Sequence, residues 1–496
     1  MGHTTLMDNP DAPACRRAIH SRASCPQEVR KPARPVELQQ ISSIRNRSAT
    51  VIEKLLEWIG PMRVFSLPLH HQAALFLLFA IESAAALGPD DRISYQGEIR
   101  PSVAESALSA ELQVSVPMAP GAESIAFFIN RGLEIDRLDG IGVTGFTLSP
   151  MEGNSLWSLL ELSEDQDLVS SRLQFEVAYH GTPLFPNDAI NAIESDWVEL
   201  SIDSAWYPVL STLAYPVRAS IRIHLPSEWT LVTSGEVSIS NDGWLLNDTI
   251  PQPDIAWAAS PGMQAFGDRE VQVFHRGVDN DTLERVVDRA QACRTLLDER
   301  FSQAESLPSL RIVIAGRDES GYARKNYIVL SRVTGRPELD LTEFLCHELA
   351  HFWSRGAPPL SVDNWMNEGF AVLIAADAIK QLYSPQAFDR LVDAWRLRSA
   401  GAGSIWTIED RSRRSHRVQY AKAPLFLHRL RGCMGTEVFE QLLSRYVTEP
   451  INSTERLIDH INDLAGPTFA DLTVRQLGSS ADRFMDHSCP ETINPT

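Results

Sequence analysis

The chain has 496 residues, 44% hydrophobic and 22% charged, the balance of an ordinary soluble globular protein long enough for roughly two to four domains. Its formal charge is -19; residues 1–61 carry nine Lys/Arg against six Asp/Glu and residues 62–87 balance, leaving about -22 for residues 88–496. So acidic a body excludes nucleic acid as an expected partner.

Residues 1–61 scatter Pro, Ser and Arg around one apolar cluster, Val51 to Ile59, and do not read as a domain. Met62-Arg63 is followed by the apolar run Ala73 to Ile81 and by Ser83-Ala84-Ala85-Ala86. A basic start, a short apolar core and small residues make a secretory signal peptide. We therefore expect translation to begin at Met62, residues 62–87 to be removed on export to the periplasm or beyond, and residues 1–61 to be a leader upstream of the true start. The apolar run is too short to span a bilayer, so no stable membrane insertion is expected. Export implies an oxidising compartment, in which Cys293, Cys346, Cys433 and Cys489 are too few for a disulfide scaffold. Cys433 and Cys489 could pair; Cys346 reads as a small buried hydrophobe.

From residue 88 to 260 the texture is β. Leu112 to Val116, Leu173 to Val177, Ala219 to Ile223 and Val237 to Ile239 alternate as half-buried strands do, with Pro and Gly turns between them. This predicts an all-β sandwich or saddle as the N-terminal domain. Past Pro251-Gln252-Pro253, residues 261–496 form a second domain. Glu270 to Phe274 is strand-like, Asp279 opens a helix toward Phe301, and Leu310 to Ala315 is another strand. Gly321-Tyr322-Ala323-Arg324-Lys325-Asn326 then leads into Tyr327 to Leu330, expected to be an edge strand.

Next comes Cys346-His347-Glu348-Leu349-Ala350-His351, with Leu341, Phe344, Leu345, Leu349 and Phe352 at helical spacing, Asp340 and Glu343 as a capping pair, and Gly356 with Pro358-Pro359 as the stop. On a helix, His347 and His351 share a face, and Glu348 leans toward it. Two imidazoles supply two of the three protein ligands of a catalytic zinc; the fourth position holds water, and the carboxylate takes its proton. Such a five-residue pattern arises by chance about once in a hundred chains of this length, so the following helix decides. There Asn364-Trp365-Met366-Asn367-Glu368-Gly369-Phe370-Ala371 opens an apolar run to Leu382, and Glu368, at its start, can return over the first helix as third ligand.

His347-Glu348-x-x-His351 with Trp365-x-Asn367-Glu368-Gly369-Phe370 resembles the aminopeptidase N type of gluzincin zinc metallopeptidases, with a spacer of 16 residues, two shorter than usual there. The resemblance implies one Zn2+ held by His347, His351 and Glu368, with Glu348 as general base. It also implies a β-saddle N-terminal domain, in which Tyr179-His180-Gly181 and Ser204 to Pro208 are landmarks, followed by an α+β thermolysin-like catalytic domain. Tyr420-Ala421-Lys422-Ala423-Pro424 resembles the family's Tyr-x-Lys-Gly-Ala, making Tyr420 the oxyanion donor, provided that the helix begins close enough to Tyr420 to admit Pro424. Where the family has Gly-x-Met-Glu-Asn, whose glutamate grips the substrate's amino group while the strand pairs with its backbone, this chain has Gly321, Arg324, Lys325 and Asn326 as the substrate-binding candidates. A cation there repels an ammonium. The enzyme is then expected to prefer acidic residues or a free carboxylate near the cut, or to act as an endopeptidase, unless Asp318 or Glu319 does the gripping.

Phe388 to Leu397, cued by Pro385, and Val438 to Tyr446 complete the helical half. The sequence thus reads as an exported zinc metallopeptidase acting on peptides or proteins, aminopeptidase-like with altered recognition of the free amine. The alternatives are a non-catalytic zinc scaffold that binds peptides and a hydrolase of non-peptide substrates.

Overall fold

The computed structural model describes residues 92–480 and residue 489, apart from 119–124, 165–170, 186–189, 214, 241–242, 248–251, 318–320, 409 and 411–413. The expected leader and signal peptide lie outside the described residues, as do Asp318 and Glu319. Among the described residues no helix is long and apolar enough to cross a membrane.

The N-terminal part is β-rich. Strict alternation along Ala107–Pro117 and Arg172–Gly181 buries one face of each strand. The two pair antiparallel inside a seven-stranded sheet, ordered Glu236–Ser240, Gly243–Asn247, Val217–Ile223, Ile93–Ser102, Ala107–Pro117, Arg172–Gly181, Leu133–Ile141. Two four-stranded sheets accompany it, and an aromatic core of Tyr95, Tyr179, Trp206, Tyr207 and Trp257 is fully buried. The hydroxyls of Tyr179 and Tyr95 donate to the carbonyls of Trp206 (3.0 Å) and Pro208 (2.7 Å), which gives the buried 204–208 turn the donors that water cannot supply there.

The C-terminal part is built on a five-stranded mixed sheet, ordered Gln264–Gly267, Val271–His275, Leu310–Ile314, Tyr327–Leu330, Tyr322–Arg324. Asp279 caps helix α1 (Asn280–Phe301) by accepting from Thr282 N at 2.8 Å, and α1 links two parallel strands. Ile312, Ile314, Ile328 and Leu330 face the helices, while the intervening Val313, Tyr327 and Val329 pack on Val232 and Ala258 of the β-rich part. Tyr327–Leu330 is therefore an interior strand, buried on both sides, and not the expected edge. The edge is Tyr322–Arg324, three residues folded back through a turn in which Lys325 takes a positive φ of 55°.

Helices α2 (Glu338–Ala350), α3 (Trp365–Leu382), α4 (Pro385–Ser399), α5 (Ala423–Met434), α6 (Thr436–Thr448), α7 (Thr454–Ala465) and α8 (Pro467–Leu477) follow. Helix α3 is buried from Trp365 to Ile379, which its nearly unbroken apolar sequence foretells. Cys346 is not a lone hydrophobe: it forms a disulfide with Cys293, tying α2 to α1 across 53 residues. Burial excludes water from both sulfurs, but it was their facing positions on two packed helices, invisible to local spacing, that brought them together. Cys433 and Cys489 form a second disulfide.

The two parts are joined by buried ion pairs. Arg324 donates to Asp254 Oδ2 (2.8 Å) and Asp203 Oδ2 (2.9 Å), and Arg317 to Glu199 Oε1 (2.6 Å). Asp254 and Glu199 have no exposed side-chain surface, and burial pushes both carboxyls up against the pull of their arginines. Replacing Arg324 by Met strands Asp254 without a counter-charge. We expect Arg324→Met to lose about 3–5 kcal/mol of unfolding free energy in urea titrations.

Candidate active site

Pro337 stands just before helix α2, its fixed φ of -54° suiting a helix entrance, with Glu338 and Asp340 offsetting the dipole in the first turn. No side chain caps it, so the Asp340–Glu343 capping pair does not form. The helix also ends earlier than Gly356: Ala350 is its last residue, and His351 is the αR residue that closes it. Leu341, Leu345 and Leu349 anchor the buried face and turn His347 and His351 outward together, ring centroids 4.7 Å apart.

Glu368 comes from the first turn of α3. The return loop is fastened by Asn367, which accepts from Ala357 N (3.1 Å) and donates to Ala357 O (2.8 Å), while Ser354 Oγ donates to Asn367 O (2.7 Å). Trp365 Nε1 donates to Thr454 Oγ1 (2.9 Å), which donates to Asp363 (2.7 Å). Gly369 is required because a Cβ there would stand 2.9 Å from the Ala423 Cβ on α5. Phe370 stacks on Tyr446 at 3.9 Å. Each residue of the Trp-x-Asn-Glu-Gly-Phe stretch thus fixes where the Glu368 carboxyl sits, which is why a short spacer suffices.

Three atoms converge: His347 Nε2 and His351 Nε2 lie 3.2 Å apart, and Glu368 Oε2 is 3.7 Å from the first and 3.4 Å from the second. Tetrahedral ligands at the zinc–nitrogen and zinc–oxygen distance of about 2.0–2.1 Å stand about 3.3 Å from one another, so this triangle fits the ion. Glu368 Oε2 is buried without a hydrogen-bond partner, a polar atom that a cation in the triangle would satisfy. His351 Nδ1 donates to the Ser354 carbonyl (3.2 Å), which leaves Nε2 as its free electron pair, an orientation that the sequence did not disclose.

Without the ion the group is electrostatically strained. Burial, then His351, pushes His347 down to about 3. Burial opposes charge on His351 and Glu368 too, but their mutual attraction wins, raising His351 to about 9 and holding Glu368 at about 2. Glu348 is pushed up to about 7 by burial; Ala323 N–H of the edge strand donates to it. Tyr420 lies with its ring 5.6 Å from that of His347, donates to Glu368 and stacks flat on His416 at 4.1 Å. It sits on a π-helical turn, Val418–Lys422, running into α5; Pro424 at the start of α5 has no N–H with which to continue an α pattern back to Tyr420.

The remaining candidates are placed differently. Gly321 runs so close to Val329 O that a Cβ would stand 2.2 Å from it. Asn326 is buried and donates to Ser309 O (2.9 Å), holding the turn. Arg324 is saturated by Asp203 and Asp254, so it is no free cation confronting an ammonium, contrary to the sequence expectation. Lys325 lies 4.0 Å from Glu305; burial, then Arg355, lowers it to about 8.

Because His351 is raised, it is protonated below pH 9 in the metal-free protein, whereas zinc takes the neutral ring. Zinc uptake should release about one proton at pH 8, and apparent affinity should weaken roughly tenfold per pH unit below about 9 and level off above it. Competition titrations from pH 7 to 10 check this; His351→Ala should lose the metal altogether.

No protein-family model and no curated protein matches the chain. Solved structures do. An M1 zinc metallopeptidase from Deinococcus radiodurans is similar at a TM-score of 0.60 and 15% identity, covering 81% of this chain and 96% of that one. A mutant of the Deinococcus radiodurans enzyme bound to a Tyr-Ser-Ala substrate gives 0.58 at 15% identity, over 82% of this chain and 96% of that one. Yeast LTA4 hydrolase gives 0.60 at 12% identity, over 78% of this chain and 68% of that one. At such identities the likeness is one of fold: a β-rich part followed by a helical part, arranged as in multidomain M1 peptidases.

Proposed function

We propose that the protein is a zinc-dependent metallopeptidase of the M1 gluzincin kind, aminopeptidase-like in architecture with a thermolysin-like catalytic domain, and altered in how it meets the substrate's free amine. One observation carries this: two imidazole nitrogens and a carboxylate oxygen converge at 3.2, 3.4 and 3.7 Å, with a buried carboxyl and a tyrosine hydroxyl beside them.

Zinc held by His347, His351 and Glu368 would polarise the scissile carbonyl and acidify a water. Glu348, pushed by burial to about 7, is matched to taking a proton from water near neutral pH and returning it to the departing amine. Tyr420, already oriented by its bond to Glu368, can turn its hydroxyl to the carbonyl oxygen as negative charge builds there. Peptides are the proposed substrates, in keeping with the Tyr-Ser-Ala complex of the Deinococcus radiodurans enzyme. The edge strand Tyr322–Arg324 carries no carboxylate of its own, and the two beside it, Asp203 and Asp254, are held by Arg324. We also read the chain as exported, which the two disulfides support.

Glu348→Gln should keep one zinc per chain by metal analysis while losing peptide turnover by a factor of about 10² or more; near-full activity would refute the assignment. Tyr420→Phe should lower kcat about 10²–10³-fold with KM little changed. N-acetylated and free peptides of one sequence should be cleaved within about tenfold of each other, whereas strict dependence on the free amine would overturn the altered-amine reading.

A further inference from the structure

Arg300, Arg317, Arg324 and Arg431, all largely buried, each meet a carboxylate. The half-buried Arg336 does not: its side chain makes no hydrogen bond or ion pair among the described residues. Its guanidinium carbon lies 4.7 Å over the centre of the Phe344 ring. Burial depresses its basicity even with Asp340, Glu343 and Glu348 within electrostatic reach.

Phe344 places this cation. It precedes His347, Glu348 and His351 on α2 by three, four and seven residues, hence on their side of the helix. Its Cζ also lies 2.8 Å from where a Gly321 Cβ would stand, at the mouth of the edge strand. Arg336 therefore sits where the metal-binding helix, the buried Glu348 and the edge strand meet. A second cation, Arg398 at the end of α4, is exposed and has no side-chain acceptor among the described residues. With His416, Arg417 and Tyr420 it lines a hollow of about 220 Å³. Half-buried Glu343, whose carboxyl burial pushes up, is within electrostatic reach of both arginines.

A half-buried guanidinium without an acceptor gives up hydration with only a ring face and unbonded carboxylates in return. An ammonium or an apolar group arriving there leaves that loss in place, whereas a carboxylate accepts two parallel N–H bonds while the aromatic ring supports the guanidinium plane. We infer that the side of the active site over the N-terminal half of α2 binds a carboxylate of the substrate through Arg336, with Arg398 reinforcing it. This rests on the peptidase reading, and moves anion recognition away from Arg324 and Lys325, whose charges are engaged elsewhere. The carboxylate is either the C-terminus of a short peptide or an Asp or Glu side chain.

The test compares three peptides of one sequence: one ending in a free carboxylate, one ending in an amide, and one amidated but carrying Glu in place of Gln beyond the cut. The zinc-loaded protein should favour at least one carboxylate-bearing peptide over the neutral amide by about tenfold or more in kcat/KM. Preference for the first locates the terminal carboxylate, for the third the side chain. Arg336→Gln should bring the ratio close to one, Arg336→Lys should keep part of it, and Arg398→Gln should reduce it less. Calorimetry on zinc-loaded Glu348→Gln reads the same ratio as binding. If carboxylate preference persists there while no peptide is ever cleaved, the peptidase reading fails and the anion site stands. Equal handling of all three peptides, or an undiminished ratio in Arg336→Gln, overturns the inference.

Discussion

Bringing a carboxylate and two imidazoles into one dry place sets the terms for the rest of the molecule. Left to itself, such a trio would relax toward water, because burial penalises charge on all three members. It is held by backbone that has nowhere to go. Helix α3 is enclosed over most of its length, α5 crosses it at Gly369 in near contact, and Asn367 and Ser354 bind the returning loop at both ends. Residues outside the trio thus decide whether it could hold an ion.

Much of this was legible in the chain. Positions four apart on a helix must share a face, so the paired histidines could be read before any fold was known, and Glu368 followed from its place at the head of the next apolar run. Strand alternation likewise marked Ala107–Pro117 and Arg172–Gly181. What stayed hidden was whatever depends on which elements become neighbours. The edge strand is only three residues long and has no pattern to offer, so the apolar Tyr327–Leu330 took its place in the reading. The resemblance to the family's Gly-x-Met-Glu-Asn cast Arg324 or Lys325 as a charge facing the substrate, and for Arg324 the arrival of Asp203 and Asp254 from another part of the chain cancels it. Arg336 carried no signal, since an arginine matters here for the acceptors it lacks.

The β-rich part is more than a neighbour. Its Asp203 and Asp254 grip the strand whose Ala323 N–H touches Glu348, and its Val232 and Ala258 pack under the same sheet. Removing that part would uncover an apolar face and release the edge strand, so the two halves form one machine in the energetic sense as well as in space.

The Cys293–Cys346 bond has a further consequence. Cys346 is joined by a peptide bond to His347, so a covalent strut runs from α1 directly into the backbone of a residue proposed to hold the metal. Closing a loop of 53 residues narrows the unfolded ensemble by about 4 kcal/mol in the chain-entropy view. Oxidation can therefore lay out the cradle before any ion arrives, and in a chain still carrying both thiols that helix would offer the proposed ligands less firmly moored.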